Sequence, residues 1–275
     1  MSRRSRAILE QLLHPEPYDR FFDEVVGQKM LHIHEGDSKA RAAILGTDPG
    51  AVILNAYDDL AHTVTCHSGS ATRPPPNARR VASAAEFRTL IQEFHASKYT
   101  VRIPEVTHLS DGLRQLCRAI EEIFENPASP GIFWSAAGAD APVHHDEVDL
   151  VIVQLTGTKR WFVSSDPPTL PNMWKVAGEG APPLEQHTVF DVTPGDVIYL
   201  PRGTAHTVQS LTDSIHVSIG FLPVTVREAM SAAVDFLSET ERSIRAGITD
   251  RADDLCRGQG AEQVVKRLRH ALDTL

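Results

Sequence analysis

Gly138-Ala-Asp-Ala-Pro-Val-His144-His145-Asp146-Glu-Val-Asp149-Leu150-Val-Ile-Val-Gln-Leu155 and Pro194-Gly195-Asp196-Val-Ile-Tyr-Leu-Pro201-Arg-Gly203-Thr-Ala-His206 decide how this chain is read. The first stretch runs a His-x-Asp triplet into an apolar, strand-like segment. On a strand, side chains at i and i+2 share a face, so His144 and Asp146 can both face a barrel interior while His145 points away. The second stretch brings His206 in after the turn at 201–203, where Gly203 and the small Thr204-Ala205 let the backbone swing round. Two imidazoles and one carboxylate on neighbouring strands are the facial triad that holds non-haem Fe(II) and leaves positions open for O₂ and a co-substrate. A competing register, His145-x-Glu147, would place His144 outside.

Around this centre the texture of the sequence changes twice. Residues 1–126 are mixed. Phe21, Phe22, Val25 and Val26 form a helical face after Pro17, and Met30 to Ile33 reads as a short strand. Ser83-Ala-Ala-Glu86 is a capping box opening a helix through Ile91 and Phe94. A second helix is expected from about Asp111 to Phe124, with Leu113, Leu116, Ile120 and Ile123 on one face. Ser68 to Arg80, with three consecutive prolines, reads as an exposed loop.

Residues 127–223 are short apolar or alternating runs punctuated by Gly and Pro, the pattern of a β-barrel or jelly roll. Residues 224–275 return to helix, with a capping box at Thr225 to Glu228 and a last helix over roughly Ala261 to Leu275. The expected fold is therefore mainly β with flanking helices: a double-stranded β-helix core, N-terminal elements packed on it, and a C-terminal helical region. Those last helices either cover the barrel or pair with a second subunit as a homodimer.

Bulk composition narrows the function. The chain has 275 residues, 41% hydrophobic and 23% charged, ordinary for a globular protein. A net charge of −9 argues against a large nucleic-acid footprint and is compatible with a basic substrate. No apolar run is long enough to span a bilayer, so no membrane partner is expected. The basic N-terminus lacks a signal peptide's apolar core. Cys66, Cys117 and Cys256 form no framework and read as reduced thiols of a cytoplasmic protein.

The two stretches resemble the cupin motifs. Gly138-x₅-His144-x-Asp146-x₃-Leu150-x₆-Gly157 follows the first, with Asp146 at a position where cupins often carry His and Leu150 where they often carry a Glu ligand. Gly195-Asp196-x₄-Pro201-x-Gly203-x₂-His206 follows the second throughout. This glycine spacing favours the His144 register. Together with Gln154-Leu-Thr-Gly-Thr-Lys159-Arg-Trp161, the segments resemble the JmjC oxygenases, particularly the ribosomal-protein hydroxylases without their C-terminal winged-helix domain. The resemblance covers most of residues 8–222 and is most specific between 138 and 221.

That resemblance implies an Fe(II)- and 2-oxoglutarate-dependent hydroxylase using O₂. His144, Asp146 and His206 would hold the metal. Lys159, fifteen residues after His144, stands where the family binds the distal carboxylate of 2-oxoglutarate. The family's usual Asn before the first ligand falls at Pro130 here. Implied substrates are an amino-acid side chain in a peptide or protein, or a free or carrier-bound amino acid.

Other residues carry weaker signals. His216 and Ser218 share one face of an alternating run from Ser214 to Phe221, either touching 2-oxoglutarate or substrate or hydrogen-bonding in the core. Trp134 and Trp161 can flank the site or simply pack. His187 reads as exposed, and Glu147 and Asp149 as orienting neighbours or meeting solvent. His62, Cys66 and His67 have zinc donor types but no partner cluster nearby. Two other functions compete: a cupin metalloenzyme working without 2-oxoglutarate, and a non-catalytic cupin-like binding protein.

Overall fold

The computed structural model describes residues 2–68, 71–73, 81–171, 184–240, 245, 266 and 269. Two compact units divide the chain, residues 1–223 and 224–275. The first opens with α1 (Arg3–Leu13), α2 (Tyr18–Glu24), β1 (Leu31–Ile33), α3 (Ser38–Ala42), α4 (Pro49–Asn55) and α5 (Tyr57–Leu60). It continues through β2 (Thr65–Ser68), β3 (Ala71–Arg73), α6 (Ala84–Ala96), β4 (Thr100–Pro104) and α7 (Asp111–Phe124). The strands β5 (Ser129–Ser135), β6 (Asp149–Thr156), β7 (Lys159–Ser164), β8 (His187–Val192), β9 (Val197–Leu200), β10 (His206–Ser210) and β11 (Ser214–Phe221) complete it.

Two antiparallel sheets make the double-stranded β-helix. The larger has the order β1-β9-β6-β11-β5-β4-β2-β3, and the smaller the order β10-β7-β8. Alternation decides which residues go where. On β11, Ile215, Val217 and Ile219 join the main apolar core beneath the helices, while His216 and Ser218 line a cavity between the sheets. A second, smaller core of Ile152, Trp161, Val163, Val192, Ile198 and Leu200 joins the sheets.

The helices form for local reasons and are held by burial. Ser110 caps α7 by accepting from Leu113 N at 3.0 Å. Leu113, Leu116, Ile120 and Phe124 then fall at helical spacing on the buried face. Ser83 caps α6 in the same way, and Phe87, Ile91 and Phe94 are buried. The helix α2 begins after Pro17 but ends at Glu24, so Val25 and Val26 lie beyond it.

Three expectations need adjusting. His144 and Asp146 do not lie on a regular strand: β6 begins at Asp149, and His144 makes only an isolated bridge to His206. Pro142, which has no N–H to give to a ladder, breaks the strand just ahead of the ligands. The loop expected over Ser68 to Arg80 contains the short strand β3, with 69–70 and 74–80 outside the described residues. The last expected helix, and Cys256, also fall outside them, apart from Lys266 and Arg269.

The unit 224–275 is described mainly through α8 (Val226–Thr240), which opens on the expected capping box. Glu228 N donates to Thr225 Oγ1 at 3.1 Å, and Thr225 N donates back to the Glu228 carboxylate at 2.8 Å. No helix among the described residues is long and apolar enough to cross a membrane.

Candidate metal centre and its cavity

Among the described residues, one group of ligand-type side chains converges. His144, Asp146 and His206 each offer an atom within 4.8 Å of the others. His206 comes from the first position of β10, which pairs with β7. The turn before it depends on Gly203, at φ 78°, where a Cβ would fall 2.3 Å from Thr169 Oγ1. Asp146 is drawn to the same turn, its carbonyl accepting from Gly203 N at 2.8 Å.

Hydrogen bonding sets the tautomer of both histidines. His144 Nδ1 lies 2.9 Å from the Pro142 carbonyl and His206 Nδ1 lies 3.0 Å from the Thr204 carbonyl. A carbonyl only accepts, so each Nδ1 carries the proton and each Nε2 keeps its lone pair. Those lone-pair nitrogens lie 4.0 Å and 3.6 Å from Asp146 Oδ2. Burial, and next the neighbouring His144, push the His206 pKa down to about 4, which leaves the ring neutral and ready to ligate. Two neutral imidazoles and a carboxylate fit a divalent cation. Leu150, at the sequence position where cupins often carry a Glu ligand, lines the same cavity.

The cavity has a volume of about 620 Å³ and lies between the two sheets. Lys159, from β7, is buried with 1% of its surface exposed. Its Nζ donates to Ser135 Oγ at 2.8 Å, and Ser135 Oγ in turn hydrogen-bonds with Thr100 Oγ1 at 2.9 Å. No carboxylate among the described residues pairs with this ammonium, and burial pushes its pKa down to about 7. A buried, uncompensated cation is costly, so the site is built for an anion that arrives later.

Between Lys159 and the triad stand Trp161 and His216. Trp161 stacks on His206 at 5.6 Å between ring centroids and lies 6.1 Å from His216, which stacks on Phe133 at 4.9 Å. Burial first, and the Lys159 charge second, hold His216 well below its ordinary pKa. Its Nδ1 and Trp161 Nε1 are buried without a hydrogen-bond partner among the described residues. Two orphaned polar atoms beside an unpaired ammonium mark the position of a polar ligand. Ser218, on the same face of β11 as His216, also lines the cavity.

Other expected residues fall elsewhere. His145 and Glu147 are outside the converging group. Trp134 packs away from the cavity, its ring 5.8 Å from His95. His187 is exposed at the start of β8. Burial pushes the Cys66 thiol up to about 12, the opposite of a metal-ready thiolate.

Asp149 does not meet solvent. It is buried, accepting from Tyr199 Oη at 2.5 Å and from Arg202 N at 3.0 Å. That clamps the turn leading to His206 onto β6. Ser135, Thr100 and Arg102 had no sequence signal at all, because strand pairing alone brings them to the cavity.

Residues 107–229 match the family model described as the JmjC domain. Ribosomal oxygenase 2 of Rattus norvegicus is 25% identical over 98% of this chain, and the chain spans 59% of that protein's length. The bifunctional lysine-specific demethylase and histidyl-hydroxylase NO66 of Branchiostoma floridae is 25% identical over 77% of this chain and 32% of its own. Among solved structures, YcfD, a ribosomal oxygenase from Escherichia coli in complex with cobalt and 2-oxoglutarate, superposes with a TM-score of 0.51. It is 17% identical and covers 94% of this chain and 66% of its own, a likeness of fold. His144, Asp146, Lys159 and His206 all lie within the segment 107–229 that matches the JmjC domain model, and over that segment the chain is similar to the ribosomal oxygenases.

Proposed function

We propose that this protein is an Fe(II)- and 2-oxoglutarate-dependent dioxygenase that hydroxylates an unactivated C–H bond of an amino-acid side chain in a polypeptide. The carrying observation is the pairing, in one cavity, of a three-ligand set with a buried ammonium that has no counter-ion among the described residues. His144 and His206 would hold the metal through Nε2, and Asp146 through its carboxylate. Lys159 Nζ would take the distal carboxylate of 2-oxoglutarate, with Ser135 as the neighbouring hydroxyl.

Bound iron and 2-oxoglutarate supply the oxidation: O₂ is consumed, the 2-oxoacid becomes succinate and CO₂, and C–H becomes C–OH. The chain orients the partners. Trp161 and His216 wall the space between Lys159 and the triad, and the neutral His216 offers Nδ1 to the bound 2-oxoacid without repelling Lys159. Ser218 lines the substrate side. With Leu150 unable to ligate, the chain would hold the metal through three residues and leave room for a chelating 2-oxoacid and O₂.

Similarity to a ribosomal oxygenase and to a histidyl-hydroxylase supports a polypeptide substrate. The free, buried Cys66 and Cys117 support a cytoplasmic setting. Exposed Val226, Met230 and Phe236 on α8 support pairing with a second copy, which light scattering would test. The decisive experiment adds Fe(II) and then 2-oxoglutarate to the apoprotein without oxygen. A weak visible charge-transfer band, lost in Lys159→Ala and Asp146→Ala, is expected. Iron binding with no band would move the metalloenzyme without 2-oxoglutarate to the front.

A further inference from the structure

The cavity holds a second cation that the chemistry above does not use. Arg102, from β4, is half-buried in the lining. Its guanidinium has no hydrogen bond or ion pair among the described residues, although Asp140 and Asp146 line the same space. A half-enclosed guanidinium with no anion is a site waiting for one.

Strand register shows which end of the cavity it serves. Across β4, β5 and β11, Thr100 stands beside Ser135 and Ser214, and Arg102 beside Phe133 and His216. Pro104 then stands beside Gly131 and Ser218. The Ser135 row is the Lys159 end. Arg102 leans the other way, its Nε 4.0 Å from the position of a Cβ on Gly131. Gly131 lies four residues from Ser135, about 13 Å along the strand.

The Gly131 end is also the Asp146 end. Gly220 pairs with Ser129, and a Cβ on Gly220 would stand 3.0 Å from Val148, two residues past Asp146. Ser129, Gly131, Ser218 and Gly220, with small side chains or none, line the same cavity as the guanidinium and the candidate metal ligands. A Cβ on Gly131 would meet its neighbours at ordinary contact distances, so the empty volume there is not forced by packing.

We infer that Arg102 is the specificity-determining residue of this site, seating an acidic side chain of the polypeptide substrate on the wall opposite the metal. The inference rests on the proposed oxygenase reading. Guanidinium–carboxylate geometry is bidentate and planar, which would fix the peptide's register and so select the carbon presented to the metal.

The test loads the full-length protein with Co(II) and 2-oxoglutarate, reads loading by the cobalt absorption, and selects binders from a randomised peptide pool. Wild type is expected to enrich Asp or Glu at one position by about tenfold or more, the effect of one charge-assisted hydrogen bond. Arg102→Gln should lose that preference, and Arg102→Glu should replace it with Lys or Arg. Should either variant fail to load, Gly131→Val keeps the guanidinium but fills its seat and should lose the preference alike. A loaded wild type with no acidic enrichment, including one that retains no peptide, overturns the role of Arg102 and leaves the oxygenase standing. So does a preference that survives in Arg102→Gln or Gly131→Val. Failure of the wild type to load overturns both readings.

Discussion

His206 and His144 aim the same ring nitrogen at the same carboxylate, yet only 4% of the first side chain is exposed against 41% of the second. His206 starts a regular strand, stacks on Trp161 and is held neutral by burial. His144 stands outside the sheet after Pro142, tied to it by one isolated bridge. Under the proposed oxygenase reading, the contrast would separate two requirements of a metal site that acts on a large substrate. One ligand is fixed by the core, so that the geometry is set before anything binds. The other is left partly open to solvent, on a side that a substrate could reach under the same reading.

Four measurements break or sharpen that contrast. Asp146 is shared by both halves, so Asp146→Ala should weaken Fe(II) binding by roughly a hundredfold or more, read by calorimetry. A variant that binds iron normally would break the triad. Asp149 clamps the buried half. Asp149→Ala leaves Tyr199 Oη and Arg202 N without their acceptor. A loss of about 3 kcal/mol in urea unfolding is expected.

The histidines themselves supply the third comparison. Both alanine variants should lose metal, but His206→Ala should also cost about 2 kcal/mol of apoprotein stability, because it empties a packed site. His144→Ala should stay within about 0.5 kcal/mol. Equal melting shifts would erase the distinction between a core-held and an exposed histidine.

The last measurement concerns Lys159 at the closed end. With its pKa pushed down to about 7, the native chain binds fewer protons than the unfolded chain between about pH 7 and pH 10.4. Apoprotein stability should therefore gain from this group as pH rises through that window, with the burial penalty felt in full below pH 7. The affinity for 2-oxoglutarate should move oppositely, weakening up to about tenfold per unit above pH 7 as the ammonium is lost. Lys159→Arg, which keeps its charge, should flatten that slope even where it weakens binding. A wild-type affinity that is level from pH 7 to 9 would remove Lys159 from the carboxylate site.

Much of this was legible in residue order because the signals are local. Capping boxes at Ser83 and Thr225 depend on atoms a few residues apart. The alternation from Ser214 to Phe221 announces one face for the core and another for the cavity. The spacing from Gly138 through His144 and Asp146 to Gly157, and from Gly195 to His206, carries the backbone turns that a ligand set needs. Gly157, at φ 68°, illustrates the constraint: a Cβ there would lie 2.1 Å from the Asp213 carbonyl.

What stayed hidden was long-range. Ser135 reaches Lys159 across 24 residues, and Tyr199 reaches Asp149 across 50. Neither serine nor tyrosine differs in sequence from a surface polar residue; only pairing and burial give them partners. The residue order by itself determined the candidate ligand side chains, their order and the strands that would carry His206, Lys159 and His216, since these follow from side-chain chemistry and a period of two. Tertiary structure alone decided that His144 and Asp146 leave the sheet, that Lys159 is buried without a counter-ion among the described residues, and that Arg102 shares its cavity. Depth and electrostatic company are properties of packed sheets, set by which strands become neighbours.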